Sequence, residues 1–398
     1  MKKILIWDAR IPLQNIGGPS GYLYQIKKQL LETPNDSICF LSDFLKKQEK
    51  SLSGKHESLV NLAKSNKFLT FLKKIFNIYR HTHNPFSRCL INNIDLNEFT
   101  HIHFHVSLDY YNAKHLLKNY KGTIVLTSHS PEPISIEIAN RTFAQKSIYY
   151  KWAVKSIKKA EDWAFKNATK IMFPVEDAIE PYMKDPKFRE ILNYRKSDIL
   201  YCPTAILPKE LNINYIENFR KKYNIPDNAF IISYIGRHNA VKGYDILKQI
   251  ATQLFSNFNS IYFVVAGSKG PIEELKHKQW IEVGWTDKGN EIVAASDLFI
   301  LPNRNTYFDL IALEVLRTGT PMLMSLTGGN KYFKKTYPSH PGISFFEIGK
   351  TEQAIECISR FIKMKETEGL AGCIESNIKI WKSDFTLPKY INHYLEII

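Results

Sequence analysis

The sequence predicts an α/β protein made of two doubly wound domains, each built on a largely parallel sheet. Apolar β-type runs alternate with amphipathic helical stretches, and the alternation begins afresh in the second half of the chain. The length of 398 residues also exceeds what one hydrophobic core usually supports, so two domains are expected.

The composition is that of an ordinary globular protein, with 44% hydrophobic and 23% charged residues, which excludes wholesale disorder. The five cysteines form no CxxC pair and no metal-ligand spacing, as expected of reduced thiols in a cytosolic protein. The apolar stretch between Lys3 and Asp8 is too short for a signal peptide. No run approaches the roughly 18 residues of a spanning helix. We therefore expect a cytoplasmic protein that is not an integral membrane protein.

In the first half of the chain, four apolar runs are predicted to be strands, and a helix is predicted after the first of them. The helix, "YLYQIKKQLLE", follows a glycine-bearing loop, "IPLQNIGGPSG". The four strand runs are "KILIWDAR", "SICFLS", "HIHFHVS" and "TIVLTSHS". Each run ends in polar or small residues, as strands of a parallel sheet do where they enter a loop.

The second half repeats the pattern with four further strand runs and intervening helices such as "YDILKQIATQLF". The strand runs are "FIISYIG", "IYFVVAGS", "DLFILPN" and "TPMLMSLTGG". Between the two halves, residues 202–211 contain two prolines and no periodicity, which indicates an interdomain linker.

The formal net charge, 54 − 39 = +15, favours an anionic partner: nucleic acid, acidic lipid headgroups or phosphorylated small molecules. A solvated basic surface is an equally good interpretation. Nucleic acid is the least supported partner, because the chain has no zinc-finger spacing and no aromatic RNA-binding signature.

Basic residues are concentrated in residues 46–88, which contain ten Lys or Arg and two acids. Within them, "LVNLAKSNKFLTFLKKIFNIYR" has apolar residues at helical spacing. A basic amphipathic helix of this kind can lie in an anionic membrane interface. An ordinary domain helix with a solvated basic face is the alternative.

The glycines of the first loop, Gly17, Gly18 and Gly21, lie between a predicted strand and a predicted helix. Such a loop lets backbone N–H groups and a helix N-terminus approach an anion or a sugar. A plain tight turn explains the pattern nearly as well. The spacing does not fit the G-x-G-x-x-G dinucleotide fingerprint.

The stretch "YIGRHNAVKGYDIL" is more informative, because Arg237 and Lys242 follow a strand and precede a helix that begins near Tyr244. Two cations beside a helix N-terminus at the carboxyl end of a parallel strand suit a diphosphate. They would neutralise a leaving group as its charge builds. A solvated pair of charges is the alternative.

Histidines and acids complete the candidate chemistry. His129 follows a strand at the rim of the first sheet, where ligands bind in this fold class, although a structural or exposed histidine is the commoner case. His101, His103 and His105 alternate along one strand, which favours packing at the core edge over a metal site. The chain has no Asp-x-Asp to hold a metal on a diphosphate, so cationic side chains must neutralise it.

Taken together, these stretches resemble the family 4 glycosyltransferases, which have the GT-B fold, and in particular those of bacterial surface-polysaccharide assembly. The resemblance is densest from Ile231 to Asn330. The motifs that carry it occur in the family's order: "IGRHNAVKGYDIL", "VVAGS", "VGWTD", "AASDLFILPN", "FDLIALEVLRTGTP" and "TGGN".

The resemblance implies two Rossmann-like domains that face a central cleft. Residues 1–205 would bind the acceptor, residues 206–382 would bind the nucleotide sugar, and residues 383–398 would form a helix that closes onto the first domain. It also implies a retaining, metal-independent transfer of a sugar, with no cofactor, from a nucleotide sugar (we expect UDP-linked) to a glycan or lipid-linked acceptor. An anionic membrane surface is a further expected partner.

The family's site residues are carried over one by one. Arg237 and Lys242 match the pair that grips the donor diphosphate, and Glu314 matches the acid that binds the ribose hydroxyls. His129 matches the histidine near the transferred sugar. The remaining donor-site positions are Gly17 and Gly18 in the first loop, and Thr306, Phe308, Asp309 and Leu310 at the start of the donor-site helix.

Three departures from the family pattern affect the sugar end of the site. The first of the family's two glutamates is Thr306 here, a glycine is Asp309, and the usual Asn-Gly at the hinge is "CPTA". Asp309 is a candidate for a displaced sugar-binding carboxylate. Thr306 and Asp309 also favour an alternative function, a non-catalytic GT-B subunit that supports a partner enzyme, whereas Arg237, Lys242 and Glu314 oppose it.

Overall fold

The computed structural model describes residues 2–14, 18–45, 67–92 and 94–398. The chain forms two compact units. Unit 1 comprises residues 1–173, 181–201 and 395–398, and unit 2 comprises residues 174–180 and 202–394.

Unit 1 is built on a six-stranded sheet in the order β2-β1-β3-β4-β5-β6, in which every neighbouring pair is parallel. The strands are β1 (Ile4–Trp7), β2 (Ile38–Phe40), β3 (His101–Phe104), β4 (Thr123–Thr127), β5 (Lys170–Phe173) and β6 (Ile199–Tyr201). All four residues of β1 are buried, as expected for a parallel strand covered by helices on both faces.

Helices connect these strands, because a parallel pair needs a crossover. They are α1 (Pro19–Glu32), α2 (Leu41–Phe44), α3 (Lys67–Thr82), α4 (Ser107–Ala113), α5 (Ile134–Thr142), α6 (Ile148–Asn167), α7 (Glu180–Met183, whose first residue belongs to unit 2) and α8 (Pro186–Tyr194). Short 3₁₀ turns span Arg88–Ile91, Leu96–Glu98 and Lys196–Asp198, and a fourth, Glu176–Ile179, groups with unit 2. Ile78 of α3 packs into a cluster with Leu108, Ala139 and Ile157.

Unit 2 contains a second six-stranded parallel sheet, in the order β12-β11-β10-β7-β8-β9. Its strands are β7 (Phe230–Ile235), β8 (Ile261–Ala266), β9 (Trp280–Gly284), β10 (Leu298–Leu301), β11 (Met322–Ser325) and β12 (Ile343–Phe346). Its helices are α9 (Ile213–Glu217), α10 (Phe219–Lys222), α11 (Tyr244–Asn257), α12 (Gly289–Ala294), α13 (Leu310–Thr318), α14 (Asn330–Thr336), α15 (Thr351–Thr367), α16 (Ala371–Asp384) and α17 (Leu387–Ile397, whose last three residues group with unit 1).

The predicted fold class is confirmed, because the chain has two α/β units, each with a parallel six-stranded sheet. The eight predicted strand runs correspond to β1–β4, β7, β8, β10 and β11. Sequence reasoning missed β5, β6, β9 and β12. These are strands of three to five residues, and β5 and β9 have a charged residue within them, so their apolar pattern is weak.

The limits of the units differ from the predicted ones in two places. The long segment of unit 2 begins at Cys202, four residues before the predicted start at residue 206. Residues 383–394 group with unit 2 and residues 395–398 with unit 1, whereas the resemblance implies that all of residues 383–398 close onto the first domain. The reason lies in local packing, because the Phe385 ring packs 5.8 Å from that of Phe333 and its carbonyl accepts from the Ile206 N–H at 3.1 Å.

Gly243, between β7 and α11, is required by two independent constraints. Its φ of 66° lies in the left-handed region, and a Cβ there would stand 1.8 Å from the Pro302 carbonyl oxygen. Gly369 has a similar φ of 77° but open space around the Cβ position. A substitution there therefore tests the backbone strain without a steric clash.

We expect Gly243→Ala to lower the free energy of unfolding by about 3 kcal/mol or more, the sum of left-handed strain and a backbone clash. Gly369→Ala should cost about 1 kcal/mol, because only the strain applies. Urea unfolding of both variants measures the difference. Equal losses would mean that the approach of Gly243 to Pro302 does not constrain the fold.

Candidate functional site

The strand order of unit 2 reverses beside its first strand, β7, because β8 and β9 lie on one side of it and β10 to β12 on the other. Ligands of open α/β sheets bind at such a switch point, outside the carboxyl ends of the strands. The loops that leave β7 and β10 there, residues 236–243 and 302–309, contain most of the predicted donor-site residues.

The loop after β7 is held by a buried tyrosine. The Tyr234 hydroxyl lies 3.1 Å from the Arg237 carbonyl oxygen and 3.4 Å from that of Lys242. Asn239 supports the turn, because its side-chain oxygen accepts from the Lys242 N–H at 2.9 Å. The backbone of both cations is therefore fixed, while the Arg237 side chain is exposed.

Arg304, from the loop after β10, joins the two loops. Its guanidinium forms a two-pronged ion pair with Asp245 of α11 and donates to the Ala240 carbonyl at 2.9 Å. Its own N–H donates to the Val241 carbonyl at 2.9 Å. The two loops thus form one connected surface at the carboxyl edge of the sheet.

Lys242 and Asp309 form an ion pair at the centre of this surface. The Lys242 Nζ lies 2.6 Å from Asp309 Oδ2, and the same oxygen accepts from the Asn303 amide at 2.5 Å. The two charged side chains are 30% and 18% exposed, so the pair is partly shielded from water. The charge of Lys242, the predicted diphosphate-binding lysine, is therefore neutralised by Asp309, which stands where the resembled family has a glycine.

The start of α13 places the other predicted positions. Asp309 is the N-cap residue but its side chain makes no capping bond, so the helix N-terminus that begins at Leu310 is left without a side-chain acceptor. Phe308 is buried, with its ring stacked 5.4 Å from that of Phe333. Its side chain belongs to the core and does not face a ligand.

Thr306 is also buried, with no exposed surface, and its hydroxyl finds no hydrogen-bond partner in the described part of the chain. The Gly328 backbone packs on it so closely that a Cβ at Gly328 would stand 2.1 Å from the Thr306 carbonyl oxygen. The side chain therefore points into the interior, where the family has an acid.

Glu314 lies one turn into α13 and is half-buried. Burial raises the pKa of its carboxyl, while the charges of Arg317 and Lys209 act to lower it. Arg317 is held in place by donating to the Leu207 carbonyl and to the Asn290 side-chain oxygen, each at 2.6 Å. Glu314 is thus a shielded acceptor flanked by two cations, which suits hydrogen bonds from neutral hydroxyl groups.

In unit 1, His129 follows β4 at the carboxyl edge of the sheet, as predicted from its place in the sequence. Its Nε2 lies 2.8 Å from Nδ1 of His105, and its ring packs 4.9 Å from that of Tyr22 on α1. Burial lowers the pKa of His129 to about 3, so the imidazole is neutral near pH 7. At that pH the ring can make hydrogen bonds but carries no charge.

The remaining predicted positions in unit 1 have different surroundings. Gly18 is exposed at the N-terminus of α1 with a φ of 76°, whereas Gly17 lies outside the described residues. His103 is buried, with its Nε2 2.8 Å from the Thr127 hydroxyl, and His101 is half-buried. Within the described ranges, no three His, Cys, Asp or Glu side chains are grouped so as to hold a metal ion.

Sequence reasoning missed several residues that shape the site in unit 2, above all Tyr234, Asn303 and Arg304. Asn303 is the last residue of a predicted strand run, "DLFILPN", and Arg304 follows that run, just as Arg237 follows "FIISYIG". The same argument from strand ends would therefore have selected them. Nothing in the sequence marks Tyr234, because its role depends on a loop that turns back over the strand.

Residues 215–369 match the protein-family model "Glycosyl transferases group 1". Among curated proteins, the chain is 26% identical over 259 residues to a glycogen synthase of Clostridium botulinum, an alignment that covers 54% of this chain and 53% of the relative. It is 28% identical over 116 residues to the O-antigen biosynthesis glycosyltransferase WclY of Escherichia coli, covering 27% and 32%. The chain thus spans about half or less of the length of these relatives.

Solved structures share the fold over the whole chain. Starch synthase IV of Arabidopsis thaliana, bound to ADP and acarbose, has a TM-score of 0.67 at 12% identity, and the match covers 100% of this chain and 98% of that one. Anabaena HepE in complex with UDP has a TM-score of 0.61 at 14% identity and coverages of 100% and 99%. The match to the glycosyl transferase model lies within the second unit, and these structures confirm the predicted GT-B fold.

The Lys242–Asp309 pair gives a test of the electrostatics of this surface. Asp309→Asn keeps the shape but removes the negative charge, so inorganic pyrophosphate should bind about fivefold or more tightly, as expected for removal of one screened repulsive charge. Calorimetric titration measures the affinity, and the relevant component is the binding that Lys242→Ala abolishes.

Asp287→Asn is the matched control, because it removes the same charge from an acid that is 74% exposed in the same unit. Its pyrophosphate affinity should stay within about twofold of the unmodified protein, since exposed charges are well screened. Weaker binding in Asp309→Asn would instead show that Asp309 positions Lys242 for the anion.

Proposed function

We propose that the protein is a glycosyltransferase that moves a sugar from a UDP-linked donor to a glycan or lipid-linked acceptor. The observation that carries the proposal is the fixed loop after β7, which presents Arg237 and Lys242 at the switch point of a group 1 glycosyltransferase domain. HepE, which shares the fold, binds UDP. The O-antigen relative favours surface-polysaccharide assembly as the setting.

In the proposed site, Arg237 and Lys242 grip the donor diphosphate and Glu314 accepts hydrogen bonds from the ribose hydroxyls. The reaction proceeds with retention and without a metal or a cofactor. The bond between the sugar and the diphosphate oxygen breaks, the acceptor oxygen bonds to the same face of the sugar, and its proton passes to the departing oxygen. The protein acts by positioning and by neutralising the diphosphate. Neutral His129 offers a hydrogen bond to the sugar.

The sugar end of the site is assigned to Asp309. Thr306 is buried and cannot supply the missing acid, whereas the Asp309 carboxylate lies at the same surface as Lys242. A donor that separates this ion pair would free Lys242 for phosphate and Asp309 for sugar hydroxyls. On this proposal, Asp309→Ala weakens binding of the sugar nucleotide more than binding of the free nucleotide.

The same ion pair favours a second candidate, a non-catalytic subunit that binds a sugar nucleotide or glycan and supports a partner enzyme. A lysine already neutralised by an acid, beside a buried threonine, is what a lost donor site would contain. A donor screen read by nucleotide release, with a panel of acceptors, separates the two. Tight nucleotide binding with no release from any donor would establish the non-catalytic function.

Once a donor is identified, Lys242→Ala should lower the turnover number by about two orders of magnitude or more, the scale of losing one preorganised charge. Lys269→Ala is the matched control, because that lysine belongs to the same unit and is 81% exposed. Steady-state kinetics of nucleotide release measures both. Full activity in Lys242→Ala would remove this site from the proposed function.

The proposal includes attachment to the inner face of an anionic membrane, with the protein in the cytoplasm. No helix among the described residues is long and apolar enough to cross a bilayer. The supporting feature is a surface of exposed apolar side chains on two adjacent helices of unit 1, called here the aromatic surface. Its members on α3 are Leu72, Phe76 and Tyr79, and those on α6 are Ile148, Tyr149 and Trp152.

Periodicity explains why α3 exposes this stripe. The apolar residues of α3 cover about half of the helix circumference, which is wider than the side that packs against the rest of unit 1. Phe71 and Ile78 pack towards α5 and α6, which leaves the neighbouring apolar positions in solvent. Exposed lysines accompany them on both helices, and α3 contains no acid. Aromatic side chains beside lysines are typical of interfacial helices.

Residues 46–66 of the predicted basic segment lie outside the described residues.

We expect the protein to float with vesicles that contain about a third anionic phospholipid at low salt, and to be released as salt rises. The double variant Phe76→Gln with Trp152→Gln should weaken this binding at least about tenfold, because two large apolar contacts are lost. Leu31→Gln is the control, since Leu31 of α1 is 76% exposed but lies outside the aromatic surface. Equal binding by all three proteins would rule out the aromatic surface.

A further inference from the structure

Unit 1 contains a cavity of about 450 Å³ that the donor chemistry of unit 2 does not involve. Its lining comes from the segments that follow β1 and β3, together with α3 and α5. The strand order of unit 1 reverses between β1 and β3, since β2 lies on one side of β1 and β3 to β6 on the other. The cavity therefore occupies the switch point of this sheet, where ligands of open α/β sheets bind.

The cavity is lined by cations from different parts of the chain. Arg10 follows β1, and Arg80 and His81 come from the last turn of α3. Asp109, in the first turn of α4, is the one acid among the lining residues. Burial and then the charge of Arg80 lower the pKa of His81. The permanent charges around the cavity are therefore two guanidinium groups and one carboxylate, which leaves an excess of positive charge.

Contacts within the protein hold the Arg10 side chain in place but neutralise its charge only in part. It stacks 3.8 Å from the centre of the Phe86 ring and donates to the Asn84 carbonyl at 2.6 Å. Its nearest approach to Asp109 is 3.7 Å, longer than a hydrogen bond. The positive charge of Arg80 also acts on Arg10 and lowers the pKa of its guanidinium, together with the larger effect of burial. Two like charges are thus gathered around one cavity.

We propose that this cavity binds a phosphate group carried by the acceptor, an inference that rests on the proposed glycosyltransferase function. A guanidinium group presents paired N–H donors that match phosphate oxygens. Phosphate oxygens carry more than one negative charge near pH 7, which complements two arginines better than a neutral glycan does. Asp109 offsets part of the cationic charge and so sets the affinity.

Helix α3 connects this cavity with the aromatic surface. Asn77, Arg80 and His81 line the cavity, whereas Phe76 and Tyr79 are exposed on the neighbouring face of the same helix. An acceptor whose phosphate is borne by a lipid would fit both features, with its headgroup in the cavity and its chain at the membrane. A soluble phosphorylated acceptor would use the cavity alone.

The test is calorimetric titration of inorganic pyrophosphate and of farnesyl diphosphate, carried out in the Lys242→Ala background so that every comparison lacks the contribution of Lys242 in unit 2. Arg80→Gln should weaken binding of both probes at least about tenfold, because a charge-assisted contact is lost. Asp109→Asn should tighten it severalfold. Lys74→Gln, which removes the same charge from the same helix outside the cavity lining, should change it less than about twofold.

Outcomes of this experiment separate the inference from the function on which it rests. Binding in the Lys242→Ala background that depends on Arg80 but not on Lys74 supports the phosphate site even if no donor is found. Absence of binding, or equal losses in Arg80→Gln and Lys74→Gln, overturns it. Tighter binding of farnesyl diphosphate that Phe76→Gln reduces identifies a lipid-borne phosphate, whereas equal affinities for the two probes identify a soluble one.

Thermal unfolding of each variant serves as the folding control. Arg80 is exposed, and its guanidinium lies 5.9 Å from the centre of the Phe76 ring, so Arg80→Gln should fold normally. Arg10 is less suitable for substitution, because its bond to Asn84 and its stacking on Phe86 also hold the local chain.

Discussion

The all-parallel pairing of both sheets is the constraint on which the rest of this structure depends. Parallel strands bring their carboxyl ends to one edge, and the order of each sheet reverses beside its first strand. The loops after β7 and β10 therefore meet in unit 2, and those after β1 and β3 meet in unit 1. Each meeting point brings an arginine or a lysine close to an aspartate, although the residues involved are far apart in the chain.

The ion pair between Lys242 and Asp309 changes how the donor surface is understood. A lysine alone would be a preformed anion site, whereas a paired lysine binds a diphosphate only when the anion competes with a carboxylate that is already in place. Arg237 is exposed, and no side chain caps the N-terminus of α13. If hydroxyl groups of the sugar replace Lys242 as hydrogen-bond donors to Asp309, the site selects the whole sugar nucleotide over the free nucleotide.

Helix α3 shows how one amphipathic segment can serve more than one role in unit 1. Its apolar half is wider than its packing partners, so part of it joins the core around Ile78 and part remains in solvent as Leu72, Phe76 and Tyr79. Its polar face ends in Arg80 and His81 at the cavity. A membrane-facing stripe and a phosphate-binding cavity on one helix would deliver a lipid-borne acceptor to the carboxyl edge of the sheet.

The sequence by itself determined the two-domain α/β class, the loops that carry Arg237 and Lys242, the helix that carries Glu314 and the place of His129 after a strand. Those features follow from local periodicity and from the rule for strand ends. The tertiary structure alone decided that Lys242 is paired with an acid 67 residues away, that Thr306 is buried, and that Arg10 and Arg80 share a cavity. Such contacts depend on which strands become neighbours, and strand order is set by packing across the whole sheet rather than by any single stretch of residues.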